Sequence, residues 1–261
     1  MADVYGSARP RRRWGRRLLV TLIVLLIIVG GILVVADRLG VSFAEREVAT
    51  RVAQQVADQG ASSAEPEVTI EGIPFLTQVL DGKYQEIKIL LRDFAGPAGQ
   101  NRTIKMPLLD VRAKDVRADL NTIRTGQGQV TATSVTGTGT VGYDNLSALV
   151  GKEGVQLSEK DGKLLVTAPL TVAGQKTEVT GTANLTVAGN KVQMRFEQVT
   201  APGLPNVPFI KNLLNSYARQ ISVDLEVPAL PLGLKVTKVQ PTPAGLVVDA
   251  GAGEVALTNG G

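Results

Sequence analysis

The sequence predicts an α+β fold: a long antiparallel sheet built from hairpins, with few helices, behind one N-terminal helix of membrane-spanning length. Three observations predict it. Residues Leu18 to Ala36, LLVTLIVLLIIVGGILVVA, carry no charge. One amphipathic stretch follows, SFAEREVATRVAQQVADQ, Ser42 to Gln59. Most of the remaining chain alternates Thr, Val and Gly between turn signals, as half-buried strands do. Strands grouped apart from helices, rather than in regular alternation, mark the α+β class.

The first element is the apolar run. Arg9, Arg11, Arg12, Arg13, Arg16 and Arg17 precede it. Its 19 residues span about 28 Å as a helix, close to the ~30 Å hydrocarbon core of a bilayer. The basic flank holds the N-terminus in the cytoplasm and places everything after Asp37 outside. This divides the chain into a cytoplasmic tail (1–17), an anchor or signal segment (18–36) and an exported domain (37–261). A cleaved signal peptide is the competing reading, since Val34-Val35-Ala36 offers small residues for cleavage. The run exceeds the ~7–15 residues of an ordinary signal-peptide core, which favours an uncleaved single-pass anchor in the cell membrane. If cleaved, the domain is secreted.

Ser42 with Glu45 three residues on reads as a capping box that starts the next helix. Val48, Val52 and Val56, joined by Ala49 and Ala53, form its apolar stripe. GASSAEPE, Gly60 to Glu67, is a loop. IPFLTQVL, Ile73 to Leu80, is an apolar run with a proline inside, and DGKYQEIKIL after it reads as a turn and a strand. Strands continue through MPLLDVRAKDVRADL and VTATSVTGTGTVGY. A short helix covers Tyr143 to Gly151, opened by Asp144 or Asn145. Asp161-Gly162 and Gly189-Asn190 are hairpin turns. A longer helix runs from Asn206 to Ile221, with Pro208 early, as first-turn prolines prefer. The final strands are split by Pro and Gly.

Composition excludes several functions. The chain has 28 basic and 24 acidic residues. Residues 1–38 hold seven Arg and two Asp, leaving 21 basic against 22 acidic residues for the domain, a net of −1. A near-neutral domain lacks the footprint of a nucleic-acid binder. Cys and His are absent. That rules out disulfides, zinc held by Cys or His, and Ser-His or Cys-His catalysis.

The remaining motifs are weak. GTGTVG, Gly137 to Gly142, matches a dinucleotide fingerprint literally, but the Thr-rich segment before it suits an antiparallel strand with one wet face. Asp110, Asp115 and Asp119 alternate with Arg112, Lys114 and Arg117 and lack calcium-loop spacing, so a solvated strand face is expected. There is no G-x-S-x-G elbow. The single Trp, Trp14, sits beside the anchor. Neither an enzyme nor a metal or cofactor site is expected. Sequons at Asn101, Asn145 and Asn184 carry no weight in a Thr-rich chain.

Two segments share a Pro-Phe-aliphatic order: Ile73 to Leu80 and NVPFIKNLL, Asn206 to Leu214. Ordinary core packing is the default reading for a lone Phe. Yet Ile73, Phe75, Leu76, Val79 and Leu80 cannot all face one side of a strand. Val207, Phe209, Ile210, Leu213 and Leu214 make a wide face on a helix. Such excess apolar surface near turns fits a greasy groove or a membrane-touching tip.

The Arg-rich start, the anchor ending in VVADR, AEREVATRVAQQV, PEVTIEGIPFLTQVLDGKYQEIKI and the late VDLEVPALPLGLKVTKVQPTPAGLVVDAGAGEV together resemble the actinobacterial LmeA-like phospholipid-binding family. The resemblance covers residues 36–93 and about 200–257. It implies a non-enzymatic cell-envelope protein whose partners are phospholipids and membrane, and a fold like the tubular lipid-binding modules, with a long antiparallel sheet curled around a helix. On that basis the two Pro-Phe segments are expected to line a groove for acyl chains. Tyr84 is expected at its edge with the hydroxyl wet. Arg112, Lys114 and Arg117 are candidates for the headgroup phosphate. Each buried CH₂ would contribute about 0.8 kcal/mol. The alternative is a structural envelope protein with a solid core and no lipid, which requires Phe75 and Phe209 to be enclosed with no cavity beside them.

Overall fold

In the computed structural model the apolar run and the amphipathic stretch form one helix, α1 (Trp14–Asp58). The structure describes residues 14–98, 102–119, 121–122, 128–172, 175–189, 191–203, 207–227 and 230–256. Arg9, Arg11, Arg12, Arg13, Asn101, Asn190 and Asn206, singled out above, lie outside the described residues. The helix start expected at Ser42 is absent. Ser42 Oγ donates to the Arg38 carbonyl at 3.1 Å, one turn back. Glu45 Oε1 accepts from Ile70 N at 3.0 Å instead of capping its own helix. Helical residues precede Ser42 without a break, so no orphan N–H groups exist there for a cap to satisfy. The predicted stripe does face the core: Val52 and Val56 are buried and Val48 is partly so. Ala53 turns outward.

The strands form two antiparallel sheets. The first runs β1 (Glu67–Glu71), β2 (Lys83–Pro97), β3 (Thr103–Arg117), β4 (Thr131–Val141), β11 (Gly245–Ala252), β10 (Lys235–Thr242), with β12 (Val255–Ala256) beside β4. The second runs β5 (Gln156–Lys160), β6 (Lys163–Val172), β7 (Gln175–Ala188), β8 (Lys191–Thr200), β9 (Val223–Glu226). Helix α1 meets β1 at one edge of the first sheet. It also meets the 3-10 turn Pro231–Gly233, which leads into β10 at the other edge. The first sheet therefore curls about the helix. β10 also meets β7, and one apolar core extends through both sheets.

Local chemistry explains the connections. Asp161 and Gly162 both have positive φ, 54° and 72°, as a two-residue hairpin requires. Helix α3 (Tyr143–Val150) begins after Gly142 without a side-chain cap. Of the two expected openers, Asp144 lies in the first turn without capping it, and Asn145 reaches back to β3: its Oδ1 accepts from Lys105 N at 3.0 Å and its Nδ2 donates to the Thr103 carbonyl at 3.3 Å. Helix α4 (Pro208–Ile221) has Pro208 in its first turn, as predicted, and packs on β8.

Two glycines of GTGTVG, Gly137 and Gly139, serve packing in β4, which is antiparallel to both β3 and β11, so no nucleotide-binding strand exists there; the third, Gly142, precedes α3. A Cβ on Gly137 would lie 2.8 Å from Leu234 Cδ1, and one on Gly139 would lie 2.7 Å from Met106 Sδ. Positive φ at Asp93 in β2 and Asp115 in β3 shifts the phase of strand alternation. Beyond Asp115, Val116 turns inward and Arg117 outward.

Candidate functional site

Residues Phe75–Asp81 form a short helix, α2, where the sequence shows only a proline-broken apolar run. It has no side-chain cap of its own. Its cap comes from α1: Asp37 Oδ1 accepts from Leu76 N at 2.8 Å, and Asp37 is buried. A carboxylate at a helix N-terminus satisfies an orphan donor and meets the positive end of the helix dipole. Gln78, also buried, fixes the other side. Its Nε2 donates to the Gly72 carbonyl and its Oε1 accepts from Gln85 N, both at 3.0 Å. Gly82 closes α2 in the left-handed conformation with φ 63°. The close approach of α2 to α1 occurs at Gly40, where an added Cβ would lie 3.4 Å from a Phe75 ring carbon.

Between α1 and the first sheet lies an apolar cavity of about 170 Å³. Ala44 and Val48 of α1 form one wall; Ile70, Phe75, Tyr84, Ile87, Val116 and Ala118 form the other. Phe43, 73% exposed, sits at the mouth beside the Glu47–Arg51 ion pair, whose N–O distance is 2.9 Å. Phe75 and Tyr84 are in ring contact, with centroids 6.2 Å apart.

Tyr84 differs from expectation. It is buried, not at a wet edge, and its hydroxyl has no hydrogen-bond partner among the described residues. Burial pushes its phenol above the ordinary tyrosine range.

Of the eleven apolar residues predicted for the site, Phe75 and Tyr84 line this cavity. Leu76 and Val79 are partly buried, and Val79 packs on the core. Ile73 and Leu80 are 74% and 80% exposed. The second Pro-Phe segment sits on the other sheet. There Ile210 and Leu214 are buried under α4, Leu213 is half-buried, and Val207 and Phe209 face solvent. The structure therefore does not bring the two segments into one pocket.

The headgroup candidates are turned away too. Arg112, Lys114 and Arg117 project from the outer face of β3, opposite the face that carries Val116 to the cavity. Arg112 is engaged by Asp110 at 3.1 Å and Glu86 at 3.6 Å. The hydrogen bond and charge of Asp110 hold its guanidinium pKa above the ordinary value.

Sequence reasoning missed Asp37, Phe43, Ala44 and Gln78. The signals were slight: an acid directly after the apolar run, and one amide inside IPFLTQVL.

A second hollow, about 650 Å³, lies at the other end of β3, among Arg102, Lys152, Arg195, Arg219 and Asp224. Helices α3 and α4 both end there. Arg102 donates to the Leu149 carbonyl at 2.6 Å, Arg195 donates to the Val223 carbonyl at 3.3 Å, and Arg195 pairs with Asp224. Arg102 answers a carbonyl in the last turn of α3 and Arg219 stands in the last turn of α4, as cations at helix C-termini do, while Arg195 is held by β9.

A family model described as LmeA-like phospholipid-binding matches residues 35–251. No curated protein and no solved structure matches the chain.

Proposed function

The chain belongs to the LmeA-like phospholipid-binding family, and from that premise we propose that it takes phospholipid acyl chains into the cavity between α1 and the first sheet. The N-terminal half of α1 anchors it in a membrane, and the domain from Asp37 onward works outside, in the cell envelope. It acts by binding, without catalysis, and its partners are phospholipids.

The observation that carries this reading is the position of the cavity. It is lined mainly by apolar side chains, and its exposed rim starts at Phe43 and runs along α1 through Glu47 to Arg51, above a helix whose side chains from Leu18 to Val35 are almost all exposed. A row of exposed Leu, Ile and Val is untenable in water and at home in lipid.

The cavity volume sets the magnitude. A dry cavity of about 150 Å³ accepts benzene, so this one takes roughly six carbons of chain. At about 0.8 kcal/mol per CH₂ that contributes ~5 kcal/mol. Tighter binding requires α1 and the sheet to part and admit more chain. The structural reading with a solid core is disfavoured, because Phe75 borders a cavity and Phe209 is 72% exposed.

The test is native mass spectrometry of the full chain, purified in a lipid-free detergent. Wild type is expected to carry phospholipid masses, and Ala44→Trp, which fills the cavity from α1, to lose them while circular dichroism is unchanged. A lipid-free wild type after incubation with phospholipid would sink the reading. Undiminished occupancy in Ala44→Trp would move the site elsewhere.

A further inference from the structure

Continuity of α1 fixes the height of every element packed on it. The apolar run ends at Ala36, and the very next residue, Asp37, is buried against the N-terminus of α2. No linker separates the apolar run from the domain. α2 rests on α1 between Asp37 and Gly40. Four residues of helix rise about 6 Å. The headgroup layer is of the same thickness: a bilayer of ~40–45 Å overall with a ~30 Å core leaves about 5–7 Å on each side.

The side chains at this level are those of a lipid-facing surface. Leu39, Ile73 and Leu80 are 68%, 74% and 80% exposed, although each is large and apolar. Exposed cations stand among them: Arg38 on α1, and Lys83 and Arg117, which are register partners at the ends of β2 and β3 next to α2. Exposed Asp81, and Asp119 beside Gly82 at the end of α2, stand near them, so the surface is mixed in charge. Phe43 is seven residues beyond Ala36, about 10 Å along the helix, just above the headgroups.

We infer that the domain docks on the outer surface of the membrane its own helix spans, with α2 seated in the headgroup layer, so that the cavity mouth at Phe43 opens immediately above that leaflet. The inference rests on the anchored, lipid-binding reading given above. Continuity with the apolar half of α1 selects a lipid surface as the occupant, because residues at the level of Asp37 to Gly40 lie among headgroups when the helix stands near the bilayer normal.

The chain has no cysteine, so a single introduced one labels uniquely. Full-length Ile73→Cys, Leu80→Cys and Ser158→Cys proteins carry bimane and are reconstituted into vesicles of phosphatidylcholine and phosphatidylglycerol. Ser158 is an exposed control in β5. It lies beyond the Thr103 end of β3, about 45 Å along that strand from Arg117. The labels at 73 and 80 are expected to lose fluorescence to headgroup-nitroxide lipid and resist aqueous iodide, with the opposite at 158. Iodide quenching at 73 and 80 without nitroxide quenching would overturn the docking, since the domain would then stand clear of the bilayer. Shielding from both quenchers would overturn it as well, because a protein partner or a second copy would then cover the surface. Bound phospholipid is read by native mass spectrometry on the same preparations. Docking without bound lipid refutes the lipid-binding reading alone, and bound lipid without docking refutes this inference alone.

Discussion

Asp37→Ala removes the cap that α1 lends to α2. The carboxylate accepts from Leu76 N at 2.8 Å and is buried, while α2 has no side-chain cap of its own. Loss of an N-cap costs about 0.5–2 kcal/mol. Hydrogen bonds to charged groups contribute about 1.5–3 kcal/mol. Against this, the alanine variant no longer has a charge to desolvate. The balance is about 1–2 kcal/mol, most of it local, because α2 is seven residues long and helices that short do not persist unaided.

The assay is native-state hydrogen exchange on the full chain in detergent. Amides of Leu76 to Leu80 should lose about 5- to 30-fold in protection at 1.36 kcal/mol per decade. Those of β3 and β4 should be unchanged. Asp37→Asn keeps an acceptor oxygen and should lose less. Unchanged protection in α2 for Asp37→Ala would refute the reasoning and leave Gln78 and Phe75 as what holds the helix.

Tyr84→Phe should stabilise the protein by about 1 kcal/mol, because a buried hydroxyl without a partner costs of that order; a loss of stability in urea titration would mean the hydroxyl is satisfied. Burial holds the phenols of Tyr84, Tyr143 and Tyr217 above the ordinary value. The unfolded chain therefore releases these protons first, so their contribution is intact below about pH 10 and is lost as pH rises toward the raised folded values. The urea midpoint should fall above that pH, and less steeply in Tyr84→Phe. Gly245→Ala should cost about 1–3 kcal/mol, since Gly245 has φ 141° and a Cβ would strike the Val141 carbonyl; a melting temperature equal to wild type would contradict the packing described. Arg112→Ala should leave phospholipid occupancy in native mass spectra unchanged, because Arg112 faces away from the cavity and is engaged by Asp110; loss of lipid would return the headgroup to β3.

What the sequence disclosed and what it hid follow from how local each signal is. The Asp161-Gly162 turn, the Pro208 helix start and the Val52–Val56 stripe are written within a few residues, and all three are present in the structure. α2 was hidden because its cap lies 39 residues upstream of Leu76, on another helix. The Ser42–Glu45 pair misled because a capping box and two polar residues in mid-helix share one spacing; only the helical residues before Ser42 separate them. At the site, Phe75 and Tyr84 were legible as aromatics in an apolar context. Phe43 and Ala44 were not, since their role depends on which face of α1 the sheet leaves uncovered. Arg112, Lys114 and Arg117 looked suitable by chemistry alone; strand alternation with its shift at Asp115 turns all three away from the cavity, and only Arg117, paired with Lys83, stands next to α2.

The direct passage from Ala36 to Asp37 also bears on effective concentration. A binding module on a flexible tether divides its time among all the positions its linker can reach, and its encounter rate with any one surface falls as the linker lengthens. Here the linker length is zero. With α1 in a membrane, the cavity meets the leaflet beneath it at the highest local concentration that geometry permits. It meets a second membrane only if that membrane is brought to it.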